Sequence, residues 1–336
     1  MFIILTKNGG VEQVVYDLAV GLQKMGIGVT LLACKGSSSP DEIVETIPPN
    51  SEVLYESAFK RFGLELKTEK KHYNKYRKHL QNLDIIHDHS QGKMSYNGFK
   101  KFNGRILGTF HNEIYPTIVK ARNMVSISKR MTRWLNQHIN ERKEIPVVYN
   151  GINLSQFEYS DEKNSRFLFF SEIGVFKGAK VVYEIAKETG LPIDFAGKNG
   201  DMSDQIRFDS APNIKFYGEV PEWKKRELFK NAKALIFPTG GFKTDWEEPF
   251  GLVMIEAMAS GTPVIASNNG AVPEVINDGD TGFICSSKKE MIEKLEIIDE
   301  INPVKCRKWV EDRFSLEAMV KSYLTCYKRL LRGDSW

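Results

Sequence analysis

Long apolar runs are missing from this chain of 336 residues. No stretch approaches the roughly 20 consecutive apolar residues that a bilayer span requires, and the opening FIIL has only a strand's length, with no basic leader or cleavage site, so neither an anchor nor a secretory signal is expected. Cysteine is scarce: Cys34, Cys285, Cys306 and Cys326 lie far apart, without the spacing of a metal knuckle, a redox pair or a disulfide framework, which fits a reducing, cytoplasmic setting. No strand is followed by G-x-G-x-x-G, so the dinucleotide fingerprint of nicotinamide enzymes is lacking. No nucleic-acid-binding module is recognisable, and nucleic acid is not an expected partner.

What is present is an ordinary globular composition, 41% hydrophobic and 27% charged, in a chain long enough for two domains of about 150 residues. The net charge of +4 is uneven. Residues 1–150 hold 22 Lys and Arg against 14 Asp and Glu, and the remainder 25 against 29. The excess is densest at Lys60, Arg61, Lys67, Lys70, Lys71, Lys75, Arg77 and Lys78. That run reads either as a solvated helix face or as a surface drawn to anionic lipid or an acidic acceptor.

Apolar runs and amphipathic segments alternate along the chain. A strand at 2–5, the loop TKNGG and a helix from about Val11 to Met25 form a first unit. Gly9 and Gly10 would let backbone approach a ligand without a Cβ in the way, with Lys7 beside them. LDIIHDHS brings His87 and His89 to the end of a buried strand, and RILGTF ends at His111 and Asn112. Open α/β sheets bind ligands at these strand ends. MVSISKRMTRWL reads as a strand and a helix starting near Ser128, and Asn150-Gly151 reads as a turn. Further on, FLFFSE, PIDFAGKNG, NIKFYGEV and ALIFPT alternate with helical stretches, which implies a parallel sheet covered on both faces. GGFKTDWE reads as a long loop and a candidate lid.

The densest stretch is EEPFGLVMIEAMASGTPVI, residues 247–265. Pro249 disfavours helix at Glu248, and a helix opens near Phe250 and Gly251. Its first amides lack partners and carry partial positive charge, which suits a phosphate or sugar hydroxyls. Glu256 follows about one and a half turns in.

Two glutamates so spaced, the double glycine, T-F-H at His111, N-G-I-N at 150–153, Lys177-Gly178 before a helix, and a glycine loop followed by Pro273-Glu274 together resemble the retaining glycosyltransferases of family 4. The resemblance implies the GT-B fold: two Rossmann-like, doubly wound parallel-sheet domains facing a central cleft. An acceptor-side domain would cover 1–152 and a donor domain 163–314, with a last helix at about 315–331 packing back on the first domain. It implies transfer of a sugar from a nucleoside diphosphate donor (UDP or GDP) to an acceptor hydroxyl with retained configuration. The acceptor would be a sugar, lipid or small molecule, and no metal or other cofactor is needed; peripheral contact with an anionic membrane is instead the sharper of the two readings of the basic run at 60–78.

Catalytic roles fall by resemblance to His111, Glu248 and Lys177. Donor contacts fall to Gly9, Gly10, Lys177, Gly218, Val220, Phe250, Gly251, Leu252 and Glu256, with Asn269 and Gly270 nearby, and the acceptor side to His89 and Asn112. The chain departs from the family where an arginine normally precedes the lysine: Ser171 and Glu172 stand there, leaving Lys198 or Lys243 as substitutes. A nucleotide-sugar epimerase, a sugar phosphorylase or a silent sugar-nucleotide-binding subunit are the alternatives on this fold.

Overall fold

The computed structural model describes residues 10–33, 43–45, 83–89, 105–112, 123–138, 144–209, 211–242 and 245–336. The strand expected at 2–5, Lys7, Gly9, the basic run at 60–78 and Lys243 lie outside them. The chain divides into two units, Met1–Gly151 with Leu316–Trp336, and Ile152–Ser315.

The first unit opens with α1 (Gly10–Lys24), whose Val14, Val15, Leu18 and Leu22 recur at helical spacing and are buried. Gly10, expected in the preceding loop, is the first helical residue. Strands β1 (Leu31–Ala33) and β2 (Ile43–Glu45) pair in parallel. A second parallel sheet runs β3 (Ile86–Asp88), β4 (Ile106–Phe110), β5 (Met124–Ser126) in that order. The helix α2 (Lys129–His138) follows, and the Ser128 hydroxyl accepts from the Met131 amide at 3.1 Å, a side-chain cap on its first turn. Phe110, Met124, Met131, Leu135 and Ile145 fill the core between sheet and helix.

The second unit alternates throughout: β6 (Phe167–Phe170), α3 (Ala179–Thr189), β7 (Ile193–Ala196), α4 (Ser203–Arg207), β8 (Ile214–Gly218), α5 (Glu222–Asn231), β9 (Leu235–Phe237), α6 (Leu252–Ala259), β10 (Val264–Ser267), α7 (Val272–Val275), β11 (Gly282–Cys285), α8 (Lys288–Glu296) and α9 (Pro303–Arg313). The six strands pair in parallel in the order β11-β10-β9-β6-β7-β8. All but the edge strand β8, which carries the exposed Lys215, are largely buried, mostly apolar runs because both faces are covered. The chain winds outward from β6 in one direction and from β9 in the other. The helices following these two neighbouring strands therefore diverge at their carboxyl ends, which opens a crevice there. With its parallel sheets and covering helices, the chain has the two Rossmann-like domains of the GT-B fold.

The last helix, α10 (Leu316–Leu331), returns to the first unit and packs on α1 and β4. The approach to α1 is close: a Cβ on Gly21 would stand 2.5 Å from the Val320 side chain. Asn150-Gly151 is not the turn that the dipeptide suggests. The Gly151 amide donates to Met319 Sδ at 3.2 Å and the Ile152 amide to the Phe314 carbonyl at 3.0 Å, so this backbone is claimed by partners far along the chain. Among the described residues no helix is long and apolar enough to cross a membrane.

Candidate functional site

The candidate residues fall into two groups, one in each unit. In the second unit they gather where β6 and β9 lie side by side. After β6 the chain makes a short 3₁₀ turn, Val175–Lys177, and then Gly178 at φ 80° starts α3. Only glycine fits there, since a Cβ would lie 2.1 Å from the carbonyl oxygen of Pro238, just past β9. The two loops are thus pressed together, and Lys177 reaches across. Its ammonium lies 3.1 Å from Glu248 Oε2 and 3.8 Å from the centroid of the Trp246 ring. The Thr239 hydroxyl donates to the same carboxylate oxygen at 3.2 Å.

The backbone of Glu248 is fixed as firmly as its side chain. Its amide donates to Asn269 Oδ1 at 2.7 Å, its carbonyl accepts from the Ala271 amide at 2.9 Å, and Asn269 Nδ2 donates to the Trp246 carbonyl at 2.9 Å. Glu248 is 6% exposed, so its charge is buried and paired, the condition under which a buried carboxylate is tolerated.

Three residues further, Gly251 at φ 85° turns the chain into α6 without any side-chain cap. The first-turn amides of Leu252 and Val253 consequently carry the helix's partial positive charge with no capping side chain on them. Phe250, assigned to donor contact, has its side chain buried in edge contact with Phe314, ring centroids 5.9 Å apart, so it can offer a ligand only backbone.

Glu256, one turn in, is 8% exposed, and its Oε1 is 2.7 Å from Lys225 Nζ on α5. Burial alone would pull the Lys225 ammonium down, but the charge of Glu256 and the hydrogen bond to it outweigh that and raise it. The pair therefore stabilises the unit at neutral pH, and this contribution is lost only as pH climbs through the raised value. Replacing Lys225 by methionine strands a buried carboxylate, which typically costs about 3–5 kcal/mol. We expect a lower unfolding temperature, which a thermal melt would show.

Gly218, at φ 64°, ends β8 with its amide neighbour Glu219 exposed and Val220 half-buried. Beside β6, the Ile173 amide donates to the Lys198 carbonyl at 2.8 Å, which brings the exposed Lys198 next to the Ser171-Glu172 stretch that lacks the arginine. Asp278 and Asp280 spell D-x-D, but their turn absorbs them: Asp278 accepts from the Ile284 amide, and Asp280 from Lys305 and Asn277.

In the first unit His111 and His89 are buried and mutually hydrogen-bonded, His89 Nδ1 to His111 Nε2 at 2.8 Å, while Asn112 is exposed. The histidines engage each other, His87, Thr109 and two tyrosines. Among the described residues no group of three or more His, Cys, Asp or Glu side chains is arranged to hold a metal ion.

Sequence reasoning missed Thr239, Trp246 as the platform for Lys177, Lys225, Tyr323 and Tyr327. Periodicity alone carries a signal for the tyrosines, four apart on one face of α10.

The profile of the group 1 glycosyl transferases matches residues 153–312, and that of Glycosyltransferase Family 4 matches residues 8–156. An uncharacterized 41.2 kDa protein of the cps region of Klebsiella pneumoniae is 29% identical over 207 residues, 56% of each chain, so this chain aligns with about half of that relative's length. The phosphatidyl-myo-inositol mannosyltransferase of Mycolicibacterium smegmatis is 26% identical over 317 residues, 82% of this chain and 76% of the relative. Among solved structures, Anabaena HepE in complex with UDP and glucose superposes with a TM-score of 0.74 at 15% identity, over 97% of this chain and 98% of the other, a likeness of fold. Two profiles of one family follow each other along almost the whole chain and meet at residues 153–156, and the chain belongs to the group 1, family 4 glycosyltransferases.

Proposed function

We propose that this glycosyltransferase moves a hexosyl group from a nucleoside diphosphate sugar to an acceptor hydroxyl with retention of configuration and without a metal. The observation that carries the reading is the Lys177 ammonium held against Glu248 at the β6–β9 switch, beside the uncapped start of α6. As the sugar–phosphate bond breaks, negative charge grows on the diphosphate. Fixed donors aimed at that charge lower the barrier. Lys177 and the Leu252 and Val253 amides are such donors, and Lys177 sits on a short, glycine-hinged turn that allows it to exchange a carboxylate for phosphate oxygens. Glu248 then faces the sugar. The acceptor oxygen bonds to the anomeric carbon on the face the diphosphate leaves, and the acceptor's proton passes to a departing phosphate oxygen. Within the first unit, His111 keeps the catalytic role and His89 and Asn112 the acceptor-side role that the resemblance implies. Gly9, Gly10, Gly218, Val220, Gly251, Asn269 and Gly270 contribute backbone or amide contacts to the donor.

The mannosyltransferase relative and the UDP and glucose bound to HepE support a UDP- or GDP-hexose as donor and a lipid or sugar as acceptor. The basic run at 60–78 supports peripheral contact with an anionic membrane.

A thermal-shift panel of UDP, GDP, ADP and their hexose conjugates tests the donor class. One diphosphate should stabilise the protein by about 2.7 kcal/mol at a hundredfold excess over its Kd. No shift with any member rejects the reading. Transfer with the conjugate so found should persist in EDTA, and the anomeric proton coupling of the product should match that of the donor.

A further inference from the structure

The buried cluster of the first unit holds more than His111 needs in order to touch a sugar. In the parallel β3–β4 pair His87 lies opposite Leu107. Because residues two apart on a strand share a side, His87, His89, Thr109 and His111 share one face. On α10, which packs against β4, Tyr323 and Tyr327 join that face, and all six side chains are buried.

Their polar atoms form one continuous chain. Tyr327 Oη is 2.7 Å from His87 Nδ1, and His87 Nε2 is 2.7 Å from Thr109 Oγ1, itself 3.1 Å from Tyr323 Oη. His89 Nε2 is 3.3 Å from His87 Nδ1, and His89 Nδ1 is 2.8 Å from His111 Nε2. A neutral imidazole has one donor and one acceptor nitrogen, so each ring's choice dictates its neighbour's. Two arrangements are self-consistent. In one, every histidine carries its proton on Nε2: His111 donates to His89, His89 to His87, and His87 to Thr109, while Tyr327 also donates to His87. In the other, every proton sits on Nδ1, and the single N–H of His87 must serve both Tyr327 and His89. In the first, the one lone pair of His87 Nδ1 is likewise shared by two donors, so sharing does not separate the two arrangements. The shorter contact does, because a phenol is a stronger donor than acceptor and Tyr327 Oη, at 2.7 Å against 3.3 Å for His89, favours O–H donating to nitrogen. Burial raises the Tyr327 phenol well above its ordinary value, so it keeps the proton that this arrangement asks it to donate.

We propose that Tyr327, His87 and His89 are positioning residues that act through His111: the hydroxyl on α10 selects the polarity of the chain, and His111, when neutral, holds its proton on Nε2. Its Nδ1 is then an acceptor, suited to a hydroxyl that donates rather than to a carbonyl or carboxylate. The catalytic consequence rests on the transferase reading above; the tautomer does not.

The test uses the full chain with ¹⁵N-labelled histidine, of which there are six, and long-range proton–nitrogen correlation of the imidazoles at pH 8, with His111→Gln assigning the His111 signals. The wild type should show His111 protonated on Nε2. Tyr327→Phe keeps the ring and loses the hydroxyl whose donation favours one polarity, so His111 should become a mixture of tautomers while the fold, followed by far-UV dichroism and melting, persists. With the donor identified by the panel, kcat should fall about tenfold and the donor KM stay within twofold. A wild-type His111 protonated on Nδ1, or a His111 spectrum untouched by Tyr327→Phe, overturns the proposal. A changed tautomer with an unchanged kcat overturns its catalytic consequence. The tautomer pattern in a wild type that transfers no sugar from any donor leaves the positioning standing and removes the function instead.

Discussion

Glu248→Gln should lower kcat for glycosyl transfer by about a thousandfold, near the upper end of what loss of one preorganised electrostatic group costs, ~4 kcal/mol. Glutamine preserves the length of the side chain and an oxygen that can accept from Thr239. The contacts that position the residue involve its main chain, the amide to Asn269 and the carbonyl to the Ala271 amide, and these do not change. What disappears is the negative charge facing Lys177 at 3.1 Å. Nucleoside diphosphate affinity should therefore hold or rise, because the lysine no longer has a carboxylate to leave before it meets phosphate. Calorimetric titration with the diphosphate, alongside initial rates, separates the two effects. A variant within threefold of wild-type kcat, or one whose rate loss is matched by an equal loss of diphosphate affinity, would remove Glu248 from the chemistry.

The second large effect comes from a residue with no side chain. Gly270 sits at φ +57°, and a Cβ placed on it would meet the backbone of Glu248, 2.3 Å from its oxygen and 2.5 Å from its nitrogen. Neither atom can swing aside as a side-chain terminus could. Gly270→Ala adds about 1–2 kcal/mol of left-handed strain to a displacement of the 247–249 segment. We expect about 2–4 kcal/mol of lost stability in total, a melting temperature lower by roughly 2–4 °C per kcal/mol, and a kcat reduced about a hundredfold as the carboxylate leaves its place. Gly279→Ala is the matched control. It has φ +79° with nothing within 4 Å of the added carbon, so it carries the strain alone and should keep full activity. Equal activity in the two variants would show that Gly270 does not set the position of Glu248.

The parallel sheet of the second unit was readable from the chain because most of its strands are short apolar runs and helical stretches separate them. The glutamate pair was readable because Pro249 and Gly251 punctuate the backbone between its members. Lys225 was not. Lys224, Lys225 and Arg226 are consecutive cations on α5, and which one turns inward depends on how the helix rests on its neighbours, which sequence does not state. The same holds for Tyr323 and Tyr327: period two places the histidines and Thr109 on a common face, but the height at which α10 crosses that face follows from its packing on α1. Asn150-Gly151 misled for a related reason. Its turn propensity is a local preference of a fraction of a kcal/mol, and the long-range bonds of Gly151 and Ile152 override it.

Those same bonds have a consequence for how the molecule can be handled. Ile152 and Ser315, the first and last residues of the second unit, are bridged side by side in parallel, so this unit is a cassette, entered and left through one doorway. That single crossing makes the segment between Gly151 and Leu316 the natural unit to express by itself or to exchange for a relative's.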